Sequence, residues 1–202
     1  MKEKTVFLFD LDSTVTKEEI LPMIAKKIDK EQEMRELTEQ TMMGILNFRE
    51  SFISRVELLK EILVSDVADN IAQISLSEKI VEFIQGNKSD CYIVTGNLDV
   101  WIIKLMENIG MENNFFSSNA DVKNEHITNI TKILSKEEVL HNFKDYKVVA
   151  IGDGSNDRAM LENADIAIGY GGVRKIAPSL LQVIDYAIYD EDKLVEMLNR
   201  LK

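Results

Sequence analysis

Short, uninterrupted runs of apolar residues recur along the chain, and the segments between them have helical spacing. The first run covers residues 6–9 and is typical of a strand that is buried on both faces, as in a parallel sheet. Similar runs predict strands at residues 91–94, 148–151, 166–168 and 186–188. Their alternation with helices predicts an α/β fold, Rossmann-like, with a central, mostly parallel sheet flanked by helices.

Between the first two strands the apolar positions follow a helical period for about sixty residues. We expect four helices in this block. A capping box from Thr16 to Glu19 is predicted to open the first helix, and Gly44 to end the second. Asn47 is expected to begin the third helix and Ser65 to cap the fourth.

An all-helical block inserted into an α/β pattern indicates a lid over the strand ends. We therefore expect a small helical cap, residues 16–75, inserted into a core formed by residues 1–15 and 76–202. Within the core, a small hairpin is predicted at residues 120–128. A second capping box is predicted to place Lys136 on a first helical turn.

Composition narrows the class of partner. A formal net charge of -11 over 202 residues argues against nucleic acid or an anionic membrane as the main partner, but it allows a small anionic substrate. The single cysteine, Cys91, excludes an internal disulfide and favours a reducing compartment. No apolar stretch has the length of a membrane span. We expect a cytoplasmic protein, either a monomer or a homodimer.

Three of the predicted strands run directly into chemically active side chains. Asp10 and Asp12 follow the first strand, Thr95 follows the second, and Asp153 and Asp157 follow the third. Parallel strands bring such ends to one edge of the sheet, where ligands bind in open α/β folds. Clustered carboxylates repel one another unless a cation joins them, and all-oxygen ligands suit Mg²⁺. A hydroxyl, backbone N–H groups and a lysine beside a metal form a cradle for phosphate.

This set of motifs resembles the haloacid dehalogenase superfamily of phosphatases. The matching segments, in the family's order and placement, are residues 10–14 (DLDST), Thr95 and Gly96, Lys136, and residues 152–157 (GDGSND). The resemblance implies that Asp10 is the nucleophile and forms an aspartyl-phosphate. It also implies that Asp12 protonates the leaving oxygen and then deprotonates the attacking water.

The same resemblance implies which residues bind the ligands. Mg²⁺ would be bound by Asp10, the backbone carbonyl of Asp12, Asp153 and, through water, Asp157. Phosphate and substrate would be contacted by Thr95, Gly96, Lys136 and Asn156. Lys132 is a rival to Lys136 for the phosphate-binding role, although Lys136 matches the family spacing better.

Within that superfamily the chain is most similar to the phosphoserine phosphatase branch, and the residues responsible lie in the cap: Glu19, Met42, Phe48 and Arg55. In that family the acid and the arginine bind the ammonium and the carboxylate of the amino acid, so the resemblance implies hydrolysis of L-phosphoserine to L-serine. Asn97 and Leu98 depart from the family's usual second glycine and phenylalanine. The segment 119–135 is also shorter than usual.

Two other functions stay open on the sequence. The enzyme could act on another small phosphomonoester, such as a phosphorylated amino alcohol or a phosphosugar. Alternatively, the chain could be a non-enzymatic phospho-acceptor in signalling. A helical lid and a second acid at Asp12 argue against the second alternative, since a switch needs neither.

Overall fold

A computed structural model describes residues 4–202. Seven strands within this range form one sheet: β1 (Thr5–Phe9), β2 (Cys91–Leu98), β3 (Phe115–Lys123), β4 (His126–Lys132), β5 (Lys147–Gly152), β6 (Ile166–Tyr170) and β7 (Tyr186–Ile188). Their order is β4-β3-β2-β1-β5-β6-β7. All neighbours are parallel except β3 and β4, which form an antiparallel hairpin. The predicted mostly parallel sheet is confirmed, and the hairpin is longer than the sequence suggested.

β1 lies at the centre of the sheet between β2 and β5. Its side chains alternate between the two faces, so that Phe7 and Phe9 join one hydrophobic cluster and Val6 and Leu8 join the other. All four are almost fully buried. This accounts for the unbroken apolar run and places the carboxyl end of β1 in the middle of the sheet edge.

Four α-helices lie in the segment predicted as the cap, residues 16–75: α1 (Ile20–Ala25), α2 (Glu31–Met42), α3 (Phe48–Leu59) and α4 (Val64–Ile71). Asn47 begins α3 as predicted, because its side-chain oxygen accepts the Glu50 N–H at 3.3 Å. Gly44 follows the end of α2 with a φ of 78°, a left-handed conformation that glycine adopts without strain.

The chain enters and leaves this helical segment through two adjacent stretches. Thr16 and Leu76 form an isolated antiparallel bridge, and the Lys17 N–H donates to the Ser75 carbonyl at 2.8 Å. These contacts lie at the residues where we expect the cap to join the core. The division into two domains stays a prediction.

The predicted capping box at Thr16 is wrong. Helix α1 begins at Ile20, and its first N–H donates to Asp12 Oδ1 at 2.8 Å rather than to Thr16. The Thr16 hydroxyl is engaged elsewhere, because it donates to the Glu18 carbonyl at 2.7 Å and accepts the Ser13 N–H at 3.3 Å. The acid that caps this helix is therefore one that the sequence assigned to catalysis.

Two further helix starts differ from the prediction in detail. Ser65 lies inside α4, where Leu63 occupies the position before the first helical residue. Helix α7 (Lys136–Val139) begins where predicted, but the Ser135 side chain makes no capping hydrogen bond.

The remaining helices cover both faces of the sheet. On the face of Phe7 and Phe9 lie α5 (Glu78–Gly86), α6 (Asp99–Ile109) and α9 (Glu191–Arg200). On the other face lie α7 and α8 (Arg158–Glu162). Among the helices of residues 4–202, none combines the length and the apolar character needed to cross a membrane.

Candidate active site

The site begins where β1 ends. The Asp10 N–H extends the strand ladder by donating to the Ile151 carbonyl at 2.9 Å, which fixes the position of Asp10 on the central strand. A single wide turn over Leu11–Val15 follows, with Ser13 at a φ of 57°. Asp10 and Asp12 consequently line the same pocket.

Both carboxylate oxygens of Asp12 accept hydrogen bonds. Oδ1 accepts the Ile20 N–H at 2.8 Å, and Oδ2 accepts the Asn97 side-chain amide at 2.5 Å. Burial, followed by the nearby Glu19 charge, raises the pKa of Asp12 to about 7, although these hydrogen bonds oppose the shift. Near neutral pH this carboxyl is therefore present in both its protonated and its ionised form.

Three buried carboxylates meet beside the end of β1. One oxygen from each of Asp10, Asp153 and Asp157 lies within 4.8 Å of the other two. The loop after β5 is arranged around Asp157, whose Oδ2 accepts the N–H groups of Asp153 and Gly154 at 3.1 and 3.0 Å. Thr14 Oγ1 donates to Asp153 Oδ1 at 3.3 Å and so links the loops after β1 and β5.

Lys136 is the buried cation of this cluster. Its Nζ donates to Asp10 and, at 2.6 Å, to Asp157. Burial lowers the pKa of the Lys136 ammonium, but the charges of Asp10 and Asp157 more than offset that effect and the net shift is upward. Lys132, the rival for this role, is exposed on β4.

Two cations contact the three acids, Lys136 at Asp10 and Asp157 and Arg174 at Asp153, so the negative charge is only partly compensated. Burial, together with the neighbouring carboxylates, raises the pKa values of Asp10 and Asp153 well above the usual range. A cation bound among the three would favour their ionised forms. Hard oxygen donors of this kind fit a divalent ion such as Mg²⁺ or Ca²⁺ rather than a softer metal.

The helical segment supplies the opposite wall of the pocket. Arg55 of α3 is only 3% exposed, and its guanidinium donates to Thr38 Oγ1 at 3.2 Å and to the Ser51 carbonyl at 3.4 Å. It forms no ion pair within residues 4–202. Burial lowers the pKa of Arg55, and the charges of Glu19 and Asp12 oppose that shift.

Aromatic side chains close the pocket. The rings of Phe48 and Phe52 stack with centroids 5.7 Å apart, and Phe48 lies directly over Gly96 of β2. The empty space in the pocket is about 390 Å³, a volume that includes the part open to solvent. Its walls are formed by Asp10, Asp12, Glu19, Leu21, Met42, Phe48, Phe52, Arg55, Gly96, Asn97 and Asn156.

The geometry thus brings most of the sequence-predicted residues together. The four residues expected to lie in the cap, Glu19, Met42, Phe48 and Arg55, line the pocket together with Gly96 and Asn156. Thr95 is buried beside it, and its hydroxyl accepts the Asn97 N–H at 3.1 Å. The side chain of Asn97, which departs from the family pattern, enters the pocket and contacts Asp12.

Sequence reasoning missed Arg174. It lies in the loop after β6, and its guanidinium pairs with Glu19 at 2.9 Å, with Asp153 at 3.3 Å and with Glu39 at 3.3 Å. The hydrophobic pattern holds no signal for it, because an arginine in an irregular loop is usually solvated. Leu21 and Phe52, which no motif singled out, also line the pocket.

Comparisons with known proteins agree with this site. The haloacid dehalogenase-like hydrolase family matches residues 7–162. The phosphoserine phosphatase of Methanocaldococcus jannaschii is 31% identical over 214 residues, which cover 100% of this chain and 99% of that protein.

Two solved structures are similar to this chain over almost its whole length. A substrate-bound phosphoserine phosphatase complex has a TM-score of 0.83 and 29% identity, covering 100% of both chains. A phospho-aspartyl intermediate analogue of phosphoserine phosphatase has a TM-score of 0.82 and 28% identity, covering 98% of this chain and 99% of the other. The chain therefore belongs to the haloacid dehalogenase-like hydrolase family, in its phosphoserine phosphatase-like branch.

Proposed function

We propose that this protein hydrolyses L-phosphoserine to L-serine and phosphate. The observation that supports this most strongly is Arg55, a buried guanidinium on the pocket wall with no carboxylate partner among the described residues. An unpaired buried charge is unfavourable unless a ligand pairs with it. The carboxylate of an amino acid fits a guanidinium through two parallel hydrogen bonds, and Glu19 in the same pocket suits the ammonium.

Asp10 and Asp12 divide the chemistry in this proposal. Asp10 attacks phosphorus, the bond from phosphorus to the serine oxygen breaks, and an aspartyl-phosphate forms. Asp12 gives its proton to the departing serine oxygen. In the second step Asp12 takes a proton from water, which attacks phosphorus and releases phosphate from Asp10. The position of both acids on one pocket wall supports these roles.

The phosphate would be held by Lys136, Thr95 and Gly96, and Asn156 would face the substrate. The Asn156 side-chain oxygen is buried and has no hydrogen-bond partner among the described residues, so it is available to accept a hydrogen bond from a donor group of the ligand or from a bound water. Lys136 already lies against Asp10, where a phosphate oxygen would place further negative charge.

Mg²⁺ is the metal that the family resemblance implies. Asp10, Asp153 and the backbone carbonyl of Asp12 would bind it directly. Asp157 would act through water, which suits a carboxylate whose two oxygens already accept hydrogen bonds from Lys136 and from the loop backbone. When bound, the ion supplies positive charge that offsets the acids and the phosphate.

Residues 16–75 would form the cap of this enzyme and residues 1–15 and 76–202 its core. The contact of Phe48 with Gly96 supports a closed arrangement in which water is excluded from the pocket. A cytoplasmic location and a monomeric or homodimeric state remain part of the proposal.

Replacing Arg55 tests the substrate directly. Arg55→Met should lower kcat/KM for L-phosphoserine by roughly 10- to 150-fold, the value of about 1.5–3 kcal/mol for a hydrogen bond to a charged group. Hydrolysis of phosphoethanolamine, which lacks the carboxylate, should change little. Arg35→Met is the matched control, since Arg35 is an exposed cap arginine paired with Glu31. An equal loss on both esters, or none on either, would refute the proposed role of Arg55.

A further inference from the structure

Arg174 lies behind the pocket wall rather than in it. Its Nη1 donates to Glu19 Oε1 at 2.9 Å, and its Nε lies 3.3 Å from Asp153 Oδ2. Its Nη2 reaches Glu39 of α2 at 3.3 Å. The guanidinium is held from three sides and its side chain is only 14% exposed, so it cannot swing away from Glu19 without breaking the other contacts.

Glu19 therefore lies between two cation positions, one occupied by Arg174 and one in the pocket where a substrate ammonium would bind. Its Oε1 accepts both Arg174 and the Ser13 hydroxyl at 3.1 Å, whereas no hydrogen bond from the described residues ends on Oε2. The carboxylate lines the pocket, and Arg174 is absent from the pocket lining. An ammonium in the pocket would meet a carboxylate whose single negative charge is already shared with a guanidinium.

We propose that Arg174 is a specificity-determining residue, which shares the Glu19 carboxylate and thereby relaxes the demand for an ammonium group on the substrate. The inference rests on the proposed function. The side chains of Arg174 and Glu19 are mostly shielded from water. The repulsion between Arg174 and a substrate ammonium is therefore only weakly screened. The expected substrate class is the phosphomonoesters of small hydroxy acids, with the carboxylate required by Arg55 and the ammonium preferred rather than required.

The test compares two esters that differ only in the amino group. One is L-phosphoserine, and the other is 3-(phosphonooxy)propanoate, which keeps the phosphate and the carboxylate. The quantity measured is the ratio of their kcat/KM values. This ratio is insensitive to a general loss of activity, because both esters use the same phosphate site.

Arg174→Met keeps an unbranched apolar stem of three atoms beyond Cβ and removes the guanidinium with its charge. We expect the ratio to rise in favour of L-phosphoserine by roughly tenfold or more, the scale of one hydrogen bond to a charged group. Arg174→Lys should return the ratio towards that of the wild type. Lys175→Met, which removes the exposed cation next in the chain, should leave the ratio unchanged.

A double variant distinguishes two roles of Arg174: sharing the charge of Glu19, or only holding Glu19 in position. In a Glu19→Gln background the Arg174→Met change should no longer alter the ratio, because the shared carboxylate is gone. If Arg174→Met lowers both kcat/KM values by the same factor, the ratio stays constant. Arg174 then only holds Glu19 in place, and the inference is wrong. If the wild type hydrolyses neither ester, the proposed function itself fails and this inference falls with it.

Discussion

Asp12 shows how a single side chain in this site serves two purposes. Its Oδ1 caps helix α1 through the Ile20 N–H, and its Oδ2 is fixed by the Asn97 amide. A carboxyl held on both oxygens has one orientation in the pocket. That suits an acid that must deliver a proton to one position on the substrate.

The Asp12→Asn substitution should slow L-phosphoserine hydrolysis by about 10²–10⁴-fold, the usual contribution of a positioned general acid–base. The loss should be smaller for p-nitrophenyl phosphate, because nitrophenolate leaves without needing a proton. Rates on both esters check the assignment. Equal losses on the two would remove Asp12 from the proton-transfer role.

The functional residues at the strand ends could be predicted from the sequence, but Arg174, which pairs with Glu19 and Asp153, could not. Asp10, Asp153 and Asp157 follow recognisable buried runs, and the three acids do meet. Arg174 follows β6 in a loop whose path no local pattern determines, so its approach to Glu19 depends on tertiary structure alone. Glu19 was ambiguous for a related reason, since its spacing from Thr16 imitates a capping box.

At the scale of elements, the site depends on the contact of helix α3 with strand β2. The Phe48 ring of α3 occupies the space above Gly96, where a Cβ would collide with it. Glycine at this position allows the close approach, and the stacked pair Phe48–Phe52 continues the apolar wall of the pocket.

The Gly96→Ala substitution should displace Phe48 and weaken closure of the pocket. We expect the KM for L-phosphoserine to rise about tenfold and the free energy of unfolding to fall by about 1–3 kcal/mol, the usual range for overpacking. Steady-state kinetics and chemical denaturation measure the two effects. Gly86→Ala is the control, because a Cβ there meets nothing within 4 Å. A Gly96→Ala enzyme with wild-type KM would contradict the packing argument.

Elements with strong local signals were predicted well, and errors arose where other contacts override the local sequence pattern. The buried strands, the Asn47 start of α3 and the hairpin all agree with their sequence patterns. Thr16 failed as a cap because its hydroxyl bonds to the Glu18 carbonyl and the Ser13 N–H, while Asp12 accepts the Ile20 N–H instead. Strand β2 extends to Leu98 because its last residue pairs with Ser118 of β3, a partner that the local sequence does not contain.

On the scale of the whole molecule, charge is unevenly arranged. The net charge of -11 would repel a phosphoester, whereas Lys136, Arg55 and Arg174 concentrate positive charge around the pocket. Asp10, Asp153 and Asp157 lie buried beside them, and burial together with the neighbouring carboxylates raises the pKa values of Asp10 and Asp153. A bound divalent cation would relieve their repulsion and so stabilise the folded protein as well as support catalysis.

Adding Mg²⁺ should therefore raise the melting temperature. At a concentration of 100 times Kd, binding contributes about 2.7 kcal/mol, or roughly 5–10 °C for a chain of this size. Asp153→Asn should remove most of this response, and Asp145→Asn, at an exposed position, should keep it. Thermal scans with and without Mg²⁺ give the answer. Full phosphatase activity in excess EDTA would contradict a metal requirement.

Catalysis in the proposed function depends on the attack of Asp10 on the phosphorus of L-phosphoserine. Its most direct test measures phosphate release from L-phosphoserine with Mg²⁺ by the wild type, by Asp10→Asn and by the exposed-site control Asp145→Asn. We predict steady turnover by the wild type and the control, and loss of turnover in Asp10→Asn, because an amide is a poor nucleophile. Near wild-type phosphate release by Asp10→Asn, or no release by the wild type, would contradict the account.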